Sequence, residues 1–513
     1  PPLLLTTLRF ALVAALLGCG LAAGAQDADD NDGSTDDDQL VLPDVVVSAG
    51  RTEMRREQVG GSVSVMTRED IAAQEPRNVY DLLRLVPGVT ITNQGGLGRL
   101  TSVSIRGASS DNALVIIDGV RANSPSAGGI DLAHLSPENI ERIEILRGPQ
   151  NTLYGSDASG GVIHITTRRG RGKPGGHLSA AYGTDGYEEQ TFGLSLGTEW
   201  LDYSLHASRL RTAGQSATWF EAGDKEEDAY ERTSLSHRVG LKLPNDGRLD
   251  LAHRHFRAEG ELDSSQADDP DYVTLDEGNY GSVTLTQPFL DSWTQTLRYG
   301  RAEEEHVSED NTTAWHNSRI YTLQEQAAVQ TDLAFGTDHT LAFGYEYESR
   351  GAEVFDPVDD ETDYDVDYEE HAGFLEHQAA LGEALYVTLG TRYDDFGDFG
   401  HAWTGRGSLV LKRGATRLHG SIGNGFRVPD LNDLFWPIDP WMGGGNPDLE
   451  PERSVGGDVG VEQRLGEALI LDVTYFENKY RNLIEWQTTD PSNPWFYQPV
   501  NVSKARMKGT ETT

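Results

Sequence analysis

Cysteine is almost missing: Cys19 is the only one in 513 residues. It sits near the N-terminus, inside a leader-like stretch, so a chain processed after Ala25 has none. Disulfides and thiolate metal sites are then excluded. Long apolar runs are also absent. Beyond the N-terminus no stretch of 18 or more apolar residues occurs, which argues against a membrane-spanning helix. Spanning strands remain open, because they are short and only alternately apolar. Basic residues are scarce, with 42 Lys and Arg against 82 Asp and Glu and a formal net charge of -40. A surface of that sign does not suit nucleic acid, which selects basic patches. It suits a saline exterior, bound divalent cations, or plain solubility. Catalytic constellations are lacking too. Gly155-Ser156-Asp157 is not a Gly-x-Ser-x-Gly elbow, and neither a phosphate loop nor His-Glu-x-x-His appears. An enzyme is not expected.

What is present begins with an export signal. Arg9 supplies the positive charge, residues 10–17 the apolar core, and Ala23-Gly24-Ala25 the cleavage site. Leu16-Leu17-Gly18-Cys19 lies close to a lipoprotein box and is the alternative. Residues 26–43 are Asp-rich with no basic residue and read as a disordered linker. Directly after it comes the β-prone segment Asp44-Val45-Val46-Val47-Ser48-Ala49. Such a tethered segment suits addition to a partner's sheet edge through main-chain hydrogen bonds. A first strand of the next domain is the plainer reading.

Residues 50–170 read as a compact α/β unit. Thr67 and Asp70 have the spacing of a capping box. Val79, Leu82, Leu83 and Val86 follow a helical period, which Pro87-Gly88 ends. Residues 103–106, 114–117, 143–146 and 162–167 read as strands, with Gly- and Pro-rich turns between. From about residue 175 the pattern turns to period two with one apolar face, as in residues 178–183, 192–196, 203–207 and 469–476. That is the pattern of a barrel wall between lipid and lumen. The acidic stretches 221–231, 259–277, 303–310 and 353–370 are expected to be extracellular loops. His253 and His255 share a face, as a metal pair or as two ordinary interface histidines.

Several of these phrases together resemble the TonB-dependent outer-membrane receptors. The run from Ile140 to Thr167, with Leu146-Arg147-Gly148-Pro149 at its centre, is similar to the end of their plug domain. Ser104-Ile105-Arg106-Gly107 and Ile117-Asp118-Gly119-Val120 match plug motifs in the family's order. Residues 44–49 resemble the energy-coupling (TonB) box. The stretches 425–435 and 446–452 resemble barrel motifs shared across the family. Residues 104–123 look most like the cobalamin (vitamin B12) branch.

The resemblance implies an all-β fold: a transmembrane antiparallel barrel of about 22 strands when complete, with an N-terminal α/β plug in the lumen. It implies a signal peptide over 1–25, a linker over 26–43, the coupling box over 44–49, a plug over 50–170 and a barrel over 171–513. That barrel is expected to be incomplete, in a fragment cut at both ends. The short linker leaves no room for an added signalling domain. The implied activity is active transport of a scarce bulky nutrient, cobalamin first. The alternatives are a siderophore or haem receptor and a non-transporting adhesin. Implied partners are a TonB-type periplasmic energy-transducing protein, the small-molecule ligand and outer-membrane lipids. By analogy the ligand contacts lie on the plug apices 93–100 and 122–127, at Asn93, Leu97, Arg99, Leu100, Asn123 and Ser124. The cobalamin branch also implies Ca²⁺ in the second and third extracellular loops, here on Glu226, Asp228, Asp263, Asp269 and Asp271. Ser216 stands where that branch usually has a further Asp.

Overall fold

The computed structural model describes residues 45–46, 49–216, 227–263, 271–311, 313, 316–466 and 469–513. The first unit opens with a two-residue pairing of β1 (Val45–Val46) with β2 (Met54–Arg55). Its main sheet contains β3 (Val63–Thr67). Thr67 then caps α1 (Arg68–Gln74): its hydroxyl accepts from the Asp70 N–H, and the Asp70 carboxylate accepts from the Thr67 N–H. Two end donors are satisfied reciprocally, as the spacing predicts. In α2 (Val79–Leu83) Val79, Leu82 and Leu83 are buried, as is Val86 just after it.

A hairpin follows, β4 (Val89–Asn93) with β5 (Thr101–Ile105). Then come β6 (Ala113–Ile117), β7 (Val120–Arg121), β8 (Ile140–Arg147), α3 (Asn151–Tyr154) and β9 (Gly161–Thr167). The sheet order is β3-β8-β9-β6-β7, with β6 and β9 parallel. Strand β6 is a continuous apolar run because both its faces are covered. Leu114, Val115, Ile143, Ile145, Val162 and Ile163 are buried accordingly.

Among the described residues the remainder is one sheet of sixteen strands in strict sequence order, from Gly175–Tyr182 to Tyr497–Thr512. Turns at one end are tight, as at 382–384 and 414–415, and connections at the other reach the length of 428–451. The wall is inside-out relative to a soluble protein. Arg232, Arg350, Arg392, Glu370 and Asp394 point into the lumen and are buried, whereas Leu389, Ile422 and Val459 face outward with 56%, 64% and 61% exposure. Apolar side chains left outside in a continuous band belong against hydrocarbon. Tyr345, Gly373, Tyr393 and Trp403 lie in one cross-strand row on that outer face, as in an interfacial aromatic girdle. No helix among the described residues is long and apolar enough to cross a membrane, which says nothing about strands.

One expectation is corrected. Much of the acidic sequence is ladder rather than loop. Residues 303–310 lie wholly in the strand Trp293–Asp310. Of residues 353–370, all but a short turn belong to His339–Asp356 and Glu361–Leu381. Strands of 18 and 21 residues exceed the 9–11 that cross a bilayer. Their upper parts stand in water, where alternate charged residues satisfy the same pairing that apolar ones satisfy lower down. His253 and His255 are interface residues: His253 stacks edge-on to His237, and His255 Nδ1 lies 3.0 Å from Asn279 Oδ1.

Candidate functional site

Two regions of the plug meet the requirements of function, its floor and its apex. At the floor, Val46 is fully buried and Ala49 nearly so, packed with Met54, Val59 and Leu146. Arg406 of the wall donates to the Ala49 carbonyl at 3.0 Å. Asp44, Val47 and Ser48 of the proposed coupling box lie outside the described residues. Val46 and Ala49 are thus held by a two-residue ladder, a small apolar cluster and one hydrogen bond from the wall.

Above the floor, buried ion pairs join plug to wall. Arg106, whose side chain is completely buried, donates to Glu511 at 2.9 and 2.8 Å and to Asp458 at 3.1 Å. Arg147 reaches the same Glu511 at 3.4 Å. Arg121 pairs with Asp157 and with Glu348 of the wall, and Arg350 of the wall returns to Asp157 at 2.8 Å. Charges of both signs, desolvated and matched, fix where the plug sits.

At the apex, the first loop is tied down by its own polar residues. The Asn93 amide donates to Thr101 Oγ1 at 2.7 Å and its oxygen accepts from the Gly95 N–H at 3.1 Å. Leu97 packs on Leu210, Tyr230 and Ala258 of the wall. Gly98 has φ +79° and lies so close under the Tyr230 ring that no side chain fits. Arg99 is buried and pairs with Asp228 at 2.9 Å. Leu100 alone of this group is half exposed, at 50%.

The second loop, 122–129, is held from within. Asn123 is buried; its oxygen accepts from the Val115 N–H, and its amide donates to the carbonyls of Ala113 and Gly128. These bonds shape the loop from within. Ser124 Oγ lies 2.9 Å from Ser126 Oγ. Of the proposed Ca²⁺ ligands, Asp263 accepts from Ser216 at 3.3 Å, Asp271 is exposed, and Glu226 and Asp269 lie outside the described residues.

The structure adds a site that the motif reading left to the barrel scaffold. After the strand ending at Arg427 the chain forms the short helix α4 (Leu431–Phe435). Its first N–H groups donate to the plug apex, Leu431 to the Pro125 carbonyl at 3.1 Å and Asn432 to the Ser126 carbonyl at 2.9 Å. Gly128, at φ +74°, leaves room for the Asp430 carboxylate. Between helix, apex and wall lies a cavity of about 350 Å³. Ser126, Ala127, Asn432, Trp436 and Trp486 line it over a floor of charge.

That floor is unbalanced. Arg427 faces four carboxylates: Glu452 at 2.9 Å, Asp433 at 3.7 Å, Asp111 at 3.9 Å and Asp430 closer still. Burial pushes the Asp430 and Asp433 carboxyls above their ordinary range, against the pull of Arg427. Trp486 Nε1 donates to Asp433 at 2.8 Å. In the sequence Arg427, Asp430 and Asp433 recur at intervals of three, from the end of a strand through the N-cap of α4 to its first turn.

Two family models cover this architecture: "TonB-dependent Receptor Plug Domain" over residues 55–162 and "TonB dependent receptor-like, beta-barrel" over residues 172–513. The chain belongs to the TonB-dependent receptors. It is an outer-membrane β-barrel of a transporter and receptor family whose members bind small molecules and interact with TonB. A vitamin B12 transporter BtuB of Vibrio vulnificus is 28% identical over 91% of this chain and 74% of the relative. An iron-regulated outer membrane virulence protein of Vibrio cholerae is 29% identical, again over 91% and 74%. Among solved structures, the ferric enterobactin receptor PfeA of Pseudomonas aeruginosa matches with a TM-score of 0.73 at 21% identity, over 91% of this chain and 79% of that one. That likeness speaks to the fold alone.

Proposed function

We propose that this receptor imports cobalamin or a close corrinoid, and that residues 44–49 are the segment its TonB-type partner engages. The observation carrying the ligand reading is the acidic lining of the apical cavity, Asp111, Asp430 and Asp433 around the single guanidinium of Arg427. Cobalamin presents an apolar macrocycle rimmed by uncharged amides. Indole walls from Trp436 and Trp486 suit the first, and carboxylates and hydroxyls suit the second. A ferric catecholate is strongly anionic and meets like charge in a desolvated site. The BtuB relatives' names agree with this choice. Competition in detergent solution tests it. Cyanocobalamin is expected to bind saturably, with ferric catecholate unable to displace it; the opposite order would make the protein a siderophore receptor.

The coupling reading rests on how lightly the box is stowed. Releasing Val46 exposes one valine, at a cost of roughly 1.5–3 kcal/mol, plus a two-residue ladder. A partner adding its own strand replaces both interactions.

At Asp228 calcium would compete with an ion pair already formed. Ca²⁺ takes six to eight oxygens, and Asp228 already gives its charge to Arg99. An ion there would share Asp228 with the guanidinium that anchors the first apical loop. Chelation is therefore expected to leave the cyanocobalamin dissociation constant unchanged. Weaker binding with chelator, restored by Ca²⁺, would return Glu226, Asp228, Asp263, Asp269 and Asp271 to a metal site.

A further inference from the structure

Plug and wall also meet in a cluster of imidazoles and carboxylates that neither ligand binding nor coupling uses. Its wall residues lie on strands Tyr230–Lys242, Arg248–Glu261, Tyr272–Leu290 and Trp293–Asp310, inside the sheet and away from both of its edges. From the plug come Asp131 and His134, at the two ends of one short 3₁₀ turn that Asp131 caps. From the wall come Asp276 and, directly opposite it on the next strand, His306. His134 Nε2 lies 3.5 Å from Asp276 Oδ2 and 3.6 Å from Asp131 Oδ2. Those separations are long for N–H···O bonds, which end at about 3.2 Å. An imidazolium paired with a carboxylate draws in further, to about 2.7–2.9 Å, as His306 does with Asp276 at 2.7 Å. The longer spacing is instead the edge of a tetrahedron, about 3.3–3.6 Å, around an ion with bonds of about 2.0–2.2 Å.

The second polar atom of each of these three groups is held from outside the cluster's centre. Asp131 Oδ1 accepts from the N–H groups of Thr101 and Ala133, both at 2.9 Å. His134 Nδ1 lies 3.0 Å from the Tyr230 hydroxyl oxygen, and its ring stacks on those of Tyr230 and Phe256. With Nδ1 donating to the tyrosine, Nε2 carries the lone pair that a metal needs. Asp276 Oδ1 is the oxygen bonded to His306. Outer bonds of this kind are what orient metal ligands. They leave Asp131 Oδ2, His134 Nε2 and Asp276 Oδ2 turned towards one another.

The donor set names the ion. One imidazole nitrogen and two carboxylate oxygens suit zinc and its neighbours, not Ca²⁺, which takes six to eight oxygens. Two carboxylates balance the charge of a divalent ion, and a water completes four ligands. The His134 side chain is 7% exposed, whereas Asp131 and His306 at 28% and 42% leave an approach from the lumen. We propose that Asp131, His134 and Asp276 bind one divalent transition-metal ion of the zinc class, with Tyr230 and His306 as positioning residues. Two ligands belong to the plug and one to the wall, so the ion is a tie between them that a chelator removes.

Purified receptor, folded by the criterion of heat-modifiable migration and stripped with chelator, is titrated with ZnCl₂. Wild type is expected to bind Zn²⁺ at this site with micromolar or tighter affinity. His306→Gln, which removes only the bond that orients Asp276, should weaken that binding by about 10–100-fold. His134→Gln and Asp276→Asn, which remove ligands, should weaken it further. His253→Gln, at the other imidazole pair of the wall, is expected to bind as wild type. Hydrogen exchange in the turn Leu132–His134 should slow when Zn²⁺ is added to wild type and stay unchanged in Asp276→Asn. A wild type that binds no Zn²⁺ would leave the cluster an ion pair only and overturn the proposal. Equal binding by His134→Gln and Asp276→Asn, or exchange indifferent to Zn²⁺ in wild type, would overturn it as well.

Discussion

Arg106→Met is expected to loosen the plug from the wall. The arginine side chain has no exposure, and its partners Asp458 and Glu511 are exposed by 1% and 7%. Methionine fills much of the volume but leaves two carboxylates facing each other in a dry site. Breaking a buried pair from one side costs about 3–5 kcal/mol, a large share of what holds a small domain in place. Arg147, 3.4 Å from Glu511, recovers part of that. The readout is hydrogen exchange of β8 and β9, which should speed by two orders of magnitude or so while the barrel keeps its heat-modifiable migration. Asp458→Asn in the same chain, with Glu511 kept opposite Arg147, should restore most of the protection, because the buried cluster is then again one base and one acid. Unchanged exchange in Arg106→Met would mean that packing, not this cluster, holds the plug.

Val46→Pro acts at the other end of the domain and on a different quantity. Proline removes an N–H from the segment and blocks strand addition. Val46 lies on the floor side, while Arg99, Asp228, Arg427 and α4 are all at the apex. Ligand binding at the cell surface is therefore expected to stay within about twofold, and accumulation inside the cell to fall to background. Val46→Ala, which keeps the N–H and loses only about 1–2 kcal/mol of burial, should transport. Normal uptake by Val46→Pro would remove residues 44–49 from any part in coupling.

The order of plug elements was legible because each depends on near neighbours. The Thr67–Asp70 cap, the Val79, Leu82, Leu83, Val86 stripe and the Gly- and Pro-rich turn after Arg147 are local devices, and the structure realises them where the spacing puts them. The alternation of the wall was legible for the same reason. Strand length was not. In residues 303–310 and 361–370 acidic side chains outweigh the alternation, and only pairing with a neighbouring strand shows that the backbone is still a ladder.

Polar residues at the apex were hardest to assign. Asn123 and Arg99 have the chemistry of ligand contacts, and the structure adds that they hold Val115, Gly128 and Asp228 within the protein. The cavity under α4 joins Asp111 and Ser126 to Arg427, Asp433 and Trp486. These positions are brought together only when the wall closes round the plug, as Arg106 and Glu511 are across 405 residues. No local pattern announces such meetings. The meeting of Asp131 and His134 with Asp276 is of the same kind, since plug and wall each supply a part of it.

Energy-coupled corrinoid import is tested most directly by radiolabelled cyanocobalamin in cells whose own vitamin B12 receptor is deleted and replaced by this one. Label is followed with the proton-motive force intact and collapsed. The account predicts surface binding in both states and accumulation beyond that level only in energised cells. Equal accumulation in the two states, or accumulation in neither despite saturable surface binding, would contradict it.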